Sequence, residues 1–499
     1  MNFVQNFPFF TIILSLSGGV ICSVLNRKNA RNYCMFALTL ILLLSAATLG
    51  YVISTGESYV YLMGHFTAPW GNEIRIGILE SVMTVLFTLV MILSLSGSME
   101  QTFYDTEESK TNIYFSMIML LMSSLLALVY TNDLFTGYVF VEINTISACA
   151  LVMVNYRSGK ALVATFRYLV MSLLGSGLFL LGICTLYSIT GHLLMENIAT
   201  SVRALVASGQ YLFPLAVVVG LFSMGLALKS GLFPFHTWAR DAYGKSSIGS
   251  SAILSGLVQK GYIFLLIKLF YRVLGMDVVF EAHATDVLFV FGICAMIYCS
   301  YKATKERYIK HMLAMSSVAQ VGYIFVGIGL GTTAGLAAAC LQIIAHTITK
   351  PMLFIATGSF MKISGGKKDF KDMRGAGLVD KLGGFAFLVG SLSMIGIPFF
   401  AGFVAKVFLS SAALELTPVK LVVTLAALAI STLLNACYYI PAIYTLLNKP
   451  LTRPLEKPEW KYSFGYVFSI VVFVGLNFFV GIFSNELFTL ISQGIAMFG

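Results

Sequence analysis

Six basic side chains stand inside otherwise apolar stretches of this sequence: Arg167, Lys229, Lys260, Lys268, Lys350 and Lys406. With them are one acid deep in such a stretch, Glu142, one nearer an edge, Glu80, and one deep histidine, His346. A charge at the centre of a bilayer costs roughly 2.5–3.5 kcal/mol even on the lenient insertion scale, so a chain keeps several only where they have partners or a wet path. Lysine, glutamate and histidine all bind and release protons, and strung through a membrane they suit ion translocation. Arg167 and Lys268 lie toward the ends of their stretches, where the plainer reading is a snorkelling or paired side chain. Glu142 and Lys229 suit an opposite-charge switch. Near 4 Å, at an effective dielectric of about 20, such a pair is worth roughly 4 kcal/mol, and moving the acid away would let Lys229 release its proton.

Two of the lysines sit beside helix breakers. Lys229 is followed by Gly231 and Pro234, and Lys406 comes after Gly396, Pro398 and Gly402. Proline removes a backbone donor and clashes with the preceding turn. Broken helices at membrane depth are tolerated where they are buried in protein or line a water-filled cavity, so both segments point to an ion path. Lys229 and Lys406 are 177 positions apart, and Arg167 and Lys350 are 183 apart. These offsets suit two inverted five-helix repeats with interrupted helices at the seventh and twelfth spans.

The elements that hold these residues must be membrane helices. Of the 499 residues 58% are hydrophobic and only 11% charged, against about 25% charged in a soluble protein. Runs of about 20 apolar residues, the length needed to cross the hydrocarbon core, can be placed some fourteen times between Phe9 and Phe464. Almost no chain is left for a soluble domain. The expected fold is an all-α polytopic membrane protein in one domain: three helices over 1–110, a first repeat over 111–275, a second over 284–446 and a last helix over 447–499. The first run has no basic leader and no Ala-x-Ala site, so it reads as a retained helix. A β-barrel is excluded, because barrels show alternating segments of about 10 residues.

The net charge of +10 does not point to nucleic acid, because of where it lies. With the N-terminus outside, the inner loops hold roughly 22 of the 32 Lys and Arg residues and the outer loops roughly four. Arg27, Lys28 and Arg31, then Lys302 to Lys310, Lys362 to Lys381 and Lys449 to Lys461 make up most of the inner set. The reading is a cell-membrane protein with both termini outside. The mainly acidic loop from Glu100 to Lys110 dissents, but acids contribute little to orientation. Eight cysteines, Cys22, Cys34, Cys149, Cys184, Cys294, Cys299, Cys340 and Cys437, never take a C-x-x-C spacing. They suit neither an iron–sulfur cluster nor a structural zinc. No cofactor is expected in this chain, and any redox centre belongs on another.

The run from Lys229 through Pro234 and His236 to Trp238, then Asp241-Ala242, resembles the signature of the proton-translocating, antiporter-like subunits. Respiratory complex I, Mrp-type sodium/proton antiporters and membrane-bound hydrogenases share these subunits. Four more segments match in the family's order: Asn132-Asp133-Leu134-Phe135 leading to Glu142; Ser316 and Ser317 through Gln320 and Gly322 to Tyr323; His346 through Lys350 to Phe354; and Gly396 through Pro398 and Gly402-Phe403 to Lys406. The resemblance covers about Gly71 to Lys406. It implies that Glu142 is the fifth-helix glutamate, Lys229 the seventh-helix lysine, Lys260 the eighth-helix lysine, Lys350 with His346 the eleventh-helix pair and Lys406 the twelfth-helix lysine. In the family these form a central hydrophilic axis with half-channels to each side. Protons then pass from the Glu142 and Lys229 pair through Lys260 and His346 to Lys406, which exchanges with the outer side.

The resemblance implies a subunit of an NADH/quinone or ferredoxin/hydrogenase-type oxidoreductase complex, or of an Mrp-type antiporter, moving H⁺ or Na⁺. Its partners would be other membrane subunits, membrane lipid and, in a redox-driven complex, soluble iron–sulfur subunits, with no nucleic acid. Some details depart from the family. Ala239-Arg240 precede Asp241 where a Leu-Pro element is usual, and Gln342 stands where some members carry a second histidine. The Val-Glu-Ile-Asn-Thr stretch at Glu142 leans toward the hydrogenase and Mrp relatives. Two rival classes fit less well. A solute carrier needs polar groups shaped around a ligand, and a membrane enzyme needs its own ligand set, whereas no HExxH motif is present and the histidines are scattered.

Overall fold

A computed structural model describes residues 3–67, 71–155, 159–449 and 462–498. The chain crosses as α1 (Phe7–Val24), α2 (Arg27–Thr55), α3 (Ile78–Asp105), α4 (Thr111–Tyr130), α5 (Leu134–Val152) and α6 (Gly159–Thr190). Between α2 and α3 lies an antiparallel hairpin, β1 (Tyr59–Leu62) with β2 (Glu73–Ile76), in the register Tyr59 to Ile76. The short helix α7 (Met195–Ala207) precedes α8 (Leu212–Ser230) and α9 (Thr237–Lys245). The spans α10 (Ile248–Leu274), α11 (Ala284–Thr304), α12 (Ile309–Gly329) and α13 (Thr333–Ile363) follow. A pair of half-length helices, α14 (Lys381–Ile395) and α15 (Ala401–Ala413), leads to α16 (Pro418–Leu447), α17 (Phe464–Ile482) and α18 (Ser484–Ala496).

Among the described residues, thirteen helices are long and apolar enough to span a membrane. The α14 and α15 halves together make one more crossing, so the sequence-based placement of some fourteen runs agrees with the fold. This is a multi-pass all-α membrane protein. The hairpin and the short helices α7, α9 and α18 were not anticipated, since each is too brief to register as an apolar run. The basic stretch beyond Lys449 falls on 450–461, outside the described residues.

Packing sorts the spans. α10, α12 and α13 are buried all round, whereas α2, α16 and α17 turn most of their residues outward. The three buried helices carry Lys260, His346 and Lys350, so the densest part of the bundle holds the residues that are hardest to bury. Side-chain caps set several starts: Asp133 accepts from the Thr136 amide at 2.6 Å, Ser247 from Ser250 at 3.2 Å, Thr332 from Gly335 at 3.0 Å and Asp380 from Gly383 at 2.8 Å. Each satisfies an amide that the first helical turn leaves without a partner. The breaks fall at the expected glycines. α8 ends at Gly231 with φ 67° and α14 ends at Gly396 with φ 95°, a region that only glycine enters without strain.

Both chain termini lie at the hairpin end of the bundle. Phe9 stacks on Tyr61 at 5.7 Å, and Arg75 donates to the Met497 carbonyl. The opposite end, here the loop end, carries the surface ion pairs Arg27–Glu108 and Lys362–Glu100.

Candidate functional site

At the start of the row, α8 brings Lys229 to its own C-terminus, where the carbonyls favour a cation. The side chain is fully buried. Its Nζ donates to Thr145 Oγ1 at 2.6 Å and lies 5.2 Å from the centre of the Tyr262 ring. Glu142 sits one turn before Thr145 on α5. It acts on Lys229 through space, and its Oε1 has no hydrogen-bond partner. The opposite-charge pair expected from the sequence is therefore not closed. Thr145 takes the ammonium, and the carboxylate stands one helical turn away. Tyr262 continues the contact, donating to Asn144 Oδ1 at 2.8 Å, while Asn144 donates to Ser124 Oγ at 2.9 Å.

Lys260 lies on α10 just after a π-helical turn over Leu254–Val258. Such a turn disturbs the i→i−4 ladder and leaves a carbonyl available. Lys260 Nζ uses it, donating to the Ser255 carbonyl. Ser255 Oγ also meets Ser317 Oγ of α12 at 2.8 Å. His346 on α13 is fully buried and lies within electrostatic range of both Lys260 and Lys350. Neither of its ring nitrogens has a hydrogen-bond partner.

Beyond His346 a chain of hydrogen bonds runs without a gap. Lys350 Nζ donates to Ser316 Oγ at 2.7 Å, to Tyr439 Oη at 3.1 Å and to the Leu313 carbonyl at 3.2 Å. Tyr438 Oη lies 2.9 Å from Ser316 Oγ and 2.7 Å from Asn435 Oδ1. Asn435 Nδ2 donates to the Met394 carbonyl at 3.2 Å. Lys406 Nζ closes the chain, donating to Ile395 at 2.6 Å, to Met394 at 3.4 Å and to Thr432 Oγ1 at 3.0 Å. Met394 and Ile395 end α14, so Lys406 from α15 caps the negative end of the first half-helix. The broken span thus supplies both the cation and the acceptors that hold it.

All six candidate residues, Glu142, Lys229, Lys260, His346, Lys350 and Lys406, are thereby placed along one row. Two hydrogen-bonded clusters form it, one around Lys229 and one from Lys350 to Lys406, with Lys260 and His346 between. The sequence did not single out Tyr262, Asn435, Tyr438 or Tyr439. Their signal was buried polar groups on one helix face, as at 435, 438 and 439, but uncharged residues do not stand out in an apolar run. Gln342, at the position of the second histidine, donates to Gln320 Oε1 at 2.7 Å.

Two expectations need correction. Arg167 is not a membrane-embedded counterpart of Lys350: its side chain is 61% exposed and pairs with Asp241 at 2.8 Å at the loop end. Lys268 does not snorkel; it is fully buried. At the loop end, Arg240 of α9 donates to Glu306 at 2.9 Å. Burial alone would raise the Glu306 carboxyl, but the neighbouring His311 ring and the Arg240 guanidinium outweigh it and hold it at about 2.

Residues 131–432, which contain all six candidate residues, match the profile of the family described as NADH:quinone oxidoreductase/Mrp antiporter, TM. The chain belongs to this family. It is 30% identical to an NADH-quinone oxidoreductase subunit of Desulforudis audaxviator, over 91% of this chain and 88% of that one. It is 28% identical to a Na(+)/H(+) antiporter subunit of Alkalihalophilus pseudofirmus, over 70% of this chain and 69% of that one. The family's fold is also seen in solved structures. A chain of the membrane-bound sulfane sulfur reductase, an archaeal respiratory membrane complex, superposes with a TM-score of 0.85 at 24% identity, covering 98% of this chain and 97% of that one. A chain of the Mrp complex from Dietzia gives the same TM-score at 22% identity, over 99% and 97%.

Proposed function

We propose that this chain is an ion-translocating membrane subunit of a multisubunit complex, moving H⁺ or Na⁺ coupled to H⁺ along the row from Glu142 to Lys406. The observation that carries the reading is the hydrogen-bonded chain of buried groups from Lys350 to Lys406. Buried ammonium groups held by hydroxyls and freed carbonyls are poised to exchange protons rather than to recognise a solute. Asn435 and the Met394 carbonyl cannot pass a proton themselves, so they position the groups and waters that do. Glu142, one turn from the Lys229 contact, is the switch: its approach favours the charged lysine and its withdrawal the neutral one. His346, with both ring nitrogens free, joins the two clusters.

Supply from the loop end has a supporting feature. A cavity of about 510 Å³ opens there between α3, α10 and α13, lined in part by Glu100, Gln101, Asp105 and Lys362. Behind it, Ser98, Thr102 and Tyr114 surround Gly249 so closely that a methyl group there would lie 2.5, 2.9 and 3.1 Å from their oxygens. Thr102 Oγ1 and Tyr114 Oη are buried polar groups beside this opening.

In this reading the chain sits in the cell membrane with both termini outside and carries no cofactor. Its partners are other membrane subunits, joined by soluble iron–sulfur subunits where electron transfer drives the complex. Isolation from the native membrane in mild detergent, with mass spectrometry of the co-purifying chains and an iron assay, tests this. Iron–sulfur subunits would mean redox drive, and only small hydrophobic partners without iron would mean exchange of one ion gradient for another. A lone chain that turns over a substrate would refute the proposal.

A further inference from the structure

The row leaves a second group of buried charges unused. At the hairpin end, Glu80 in the first turn of α3 is 1% exposed. Its Oε1 lies 3.8 Å from Arg75 Nη1 of β2, too far for a hydrogen bond, and both atoms are buried without hydrogen-bond partners. Lys268, on the same helix as Lys260 and about 12 Å further along it, donates to the Val129 carbonyl at 2.8 Å and to the Thr131 carbonyl at 2.5 Å. Glu80, Arg272 and Arg75 are the charges within its electrostatic range. Arg272 Nη2 donates to Asn132 Oδ1 at 2.6 Å, while Nη1 is buried and unpartnered. Below Glu80, Thr84 Oγ1 and Tyr130 Oη meet at 2.8 Å, and Ser81 Oγ is buried without a partner.

A structural clamp would close its ion pairs, because a charge left unpaired in a dry interior is strongly destabilising. Here Glu80 Oε1, Arg75 Nη1 and Arg272 Nη1 are each buried without a hydrogen-bond partner, and Arg75 and Glu80 stay 3.8 Å apart, the geometry of groups that share water and exchange a proton. The place also fits: two turns along α10 from Lys260, and one layer beneath the hairpin.

We propose that Glu80 and Lys268 form a proton-release site of the first repeat, opening to the hairpin side beneath β1 and β2. Lys268 passes a proton to the Glu80 carboxylate, leaving a neutral amine and a carboxylic acid. The acid gives the proton to water on the hairpin side, and the amine is reloaded from Lys260. Besides Glu80, the charged groups facing Lys268 are Arg272 on α10 and Arg75 on β2; Tyr130 at the end of α4 faces Glu80, Tyr59 on β1 faces Tyr130, and Glu73 on β2 and Glu196 on α7 face Arg272. α18 adds the Met497 carbonyl, which Arg75 holds.

This rests on the row being the ion path. The test is ion translocation by the intact complex in oriented vesicles, with the pH varied on the hairpin side alone. Glu80→Gln is expected to slow translocation by about tenfold or more and to abolish the response to hairpin-side pH, whereas Glu80→Asp keeps a response with a displaced midpoint. Parental rate and response in Glu80→Gln would overturn the inference. So would equal losses in both variants with the pH response unchanged, the mark of a clamp. If Glu80→Gln fails to assemble, Glu80→Asp decides, and an unchanged midpoint overturns. Lys229→Ala in the same preparation separates the two readings: if it too translocates normally, the row itself fails, whereas inert Glu80 variants alone remove only the release site.

Discussion

Thr145→Val removes the one hydrogen bond that Lys229 makes, at 2.6 Å, along with the hydroxyl's own bond to the Val141 carbonyl at 2.9 Å, while valine keeps the shape of threonine. A hydrogen bond to a charged group contributes about 1.5–3 kcal/mol. Without it the ammonium keeps only its through-space attraction to Glu142 and the Tyr262 ring. The ratio of charged to neutral Lys229 should fall about 10- to 100-fold. Translocation near neutral pH should then fall by about tenfold or more. Thr145→Ser, which keeps the hydroxyl, should stay within about twofold of the parent. The assay is initial ion flux by the complex in vesicles, with assembly checked by subunit composition. Parental flux in Thr145→Val would refute the argument, because Lys229 would then not depend on the acceptor that the structure gives it.

Other outcomes follow from the same contacts. Glu142→Gln should impair translocation with the complex assembled, measured as flux per assembled complex; full flux would make Glu142 a packing residue. Gly175→Leu should destabilise the bundle by about 1–3 kcal/mol, seen as a lower unfolding midpoint, because a Cβ at Gly175 falls 2.7 Å from the Gly225 carbonyl and 3.0 Å from Lys229 Cγ. Glu306, held at about 2 against an ordinary 4.5, contributes stability that is fully present above pH 4.5 and is lost as pH falls toward 2. The unfolding midpoint should drop across that window and flatten in Glu306→Gln.

Much of this molecule was legible in the sequence because membranes punish charge and irregular backbone. Lys229 and Lys406 stood out beside Gly231 and Gly396, and the structure breaks its helices there. Lys260, His346 and Lys350 stood out because nothing but function or pairing keeps such groups in apolar runs. What was not legible depends on the third dimension. Thr145 takes Lys229 in place of Glu142 because helix geometry sets which of two residues, one turn apart, faces the lysine. The link through Tyr439, Tyr438 and Asn435 joins helices far apart in sequence using residues that are unremarkable in an apolar run. Arg167 and Lys268 carried the same reading from their sequence positions, yet Arg167 pairs with Asp241 near the surface while Lys268 is fully buried, because distance along a span does not reveal which neighbours cover its end.

The central claim is that ions move along the row through Lys229. The most direct measurement is charge movement by the purified complex on a supported membrane, comparing the parent with Lys229→Ala after subunit composition has shown equal assembly. The account predicts a transient current in the parent and none in the variant. An undiminished current in fully assembled Lys229→Ala would contradict it.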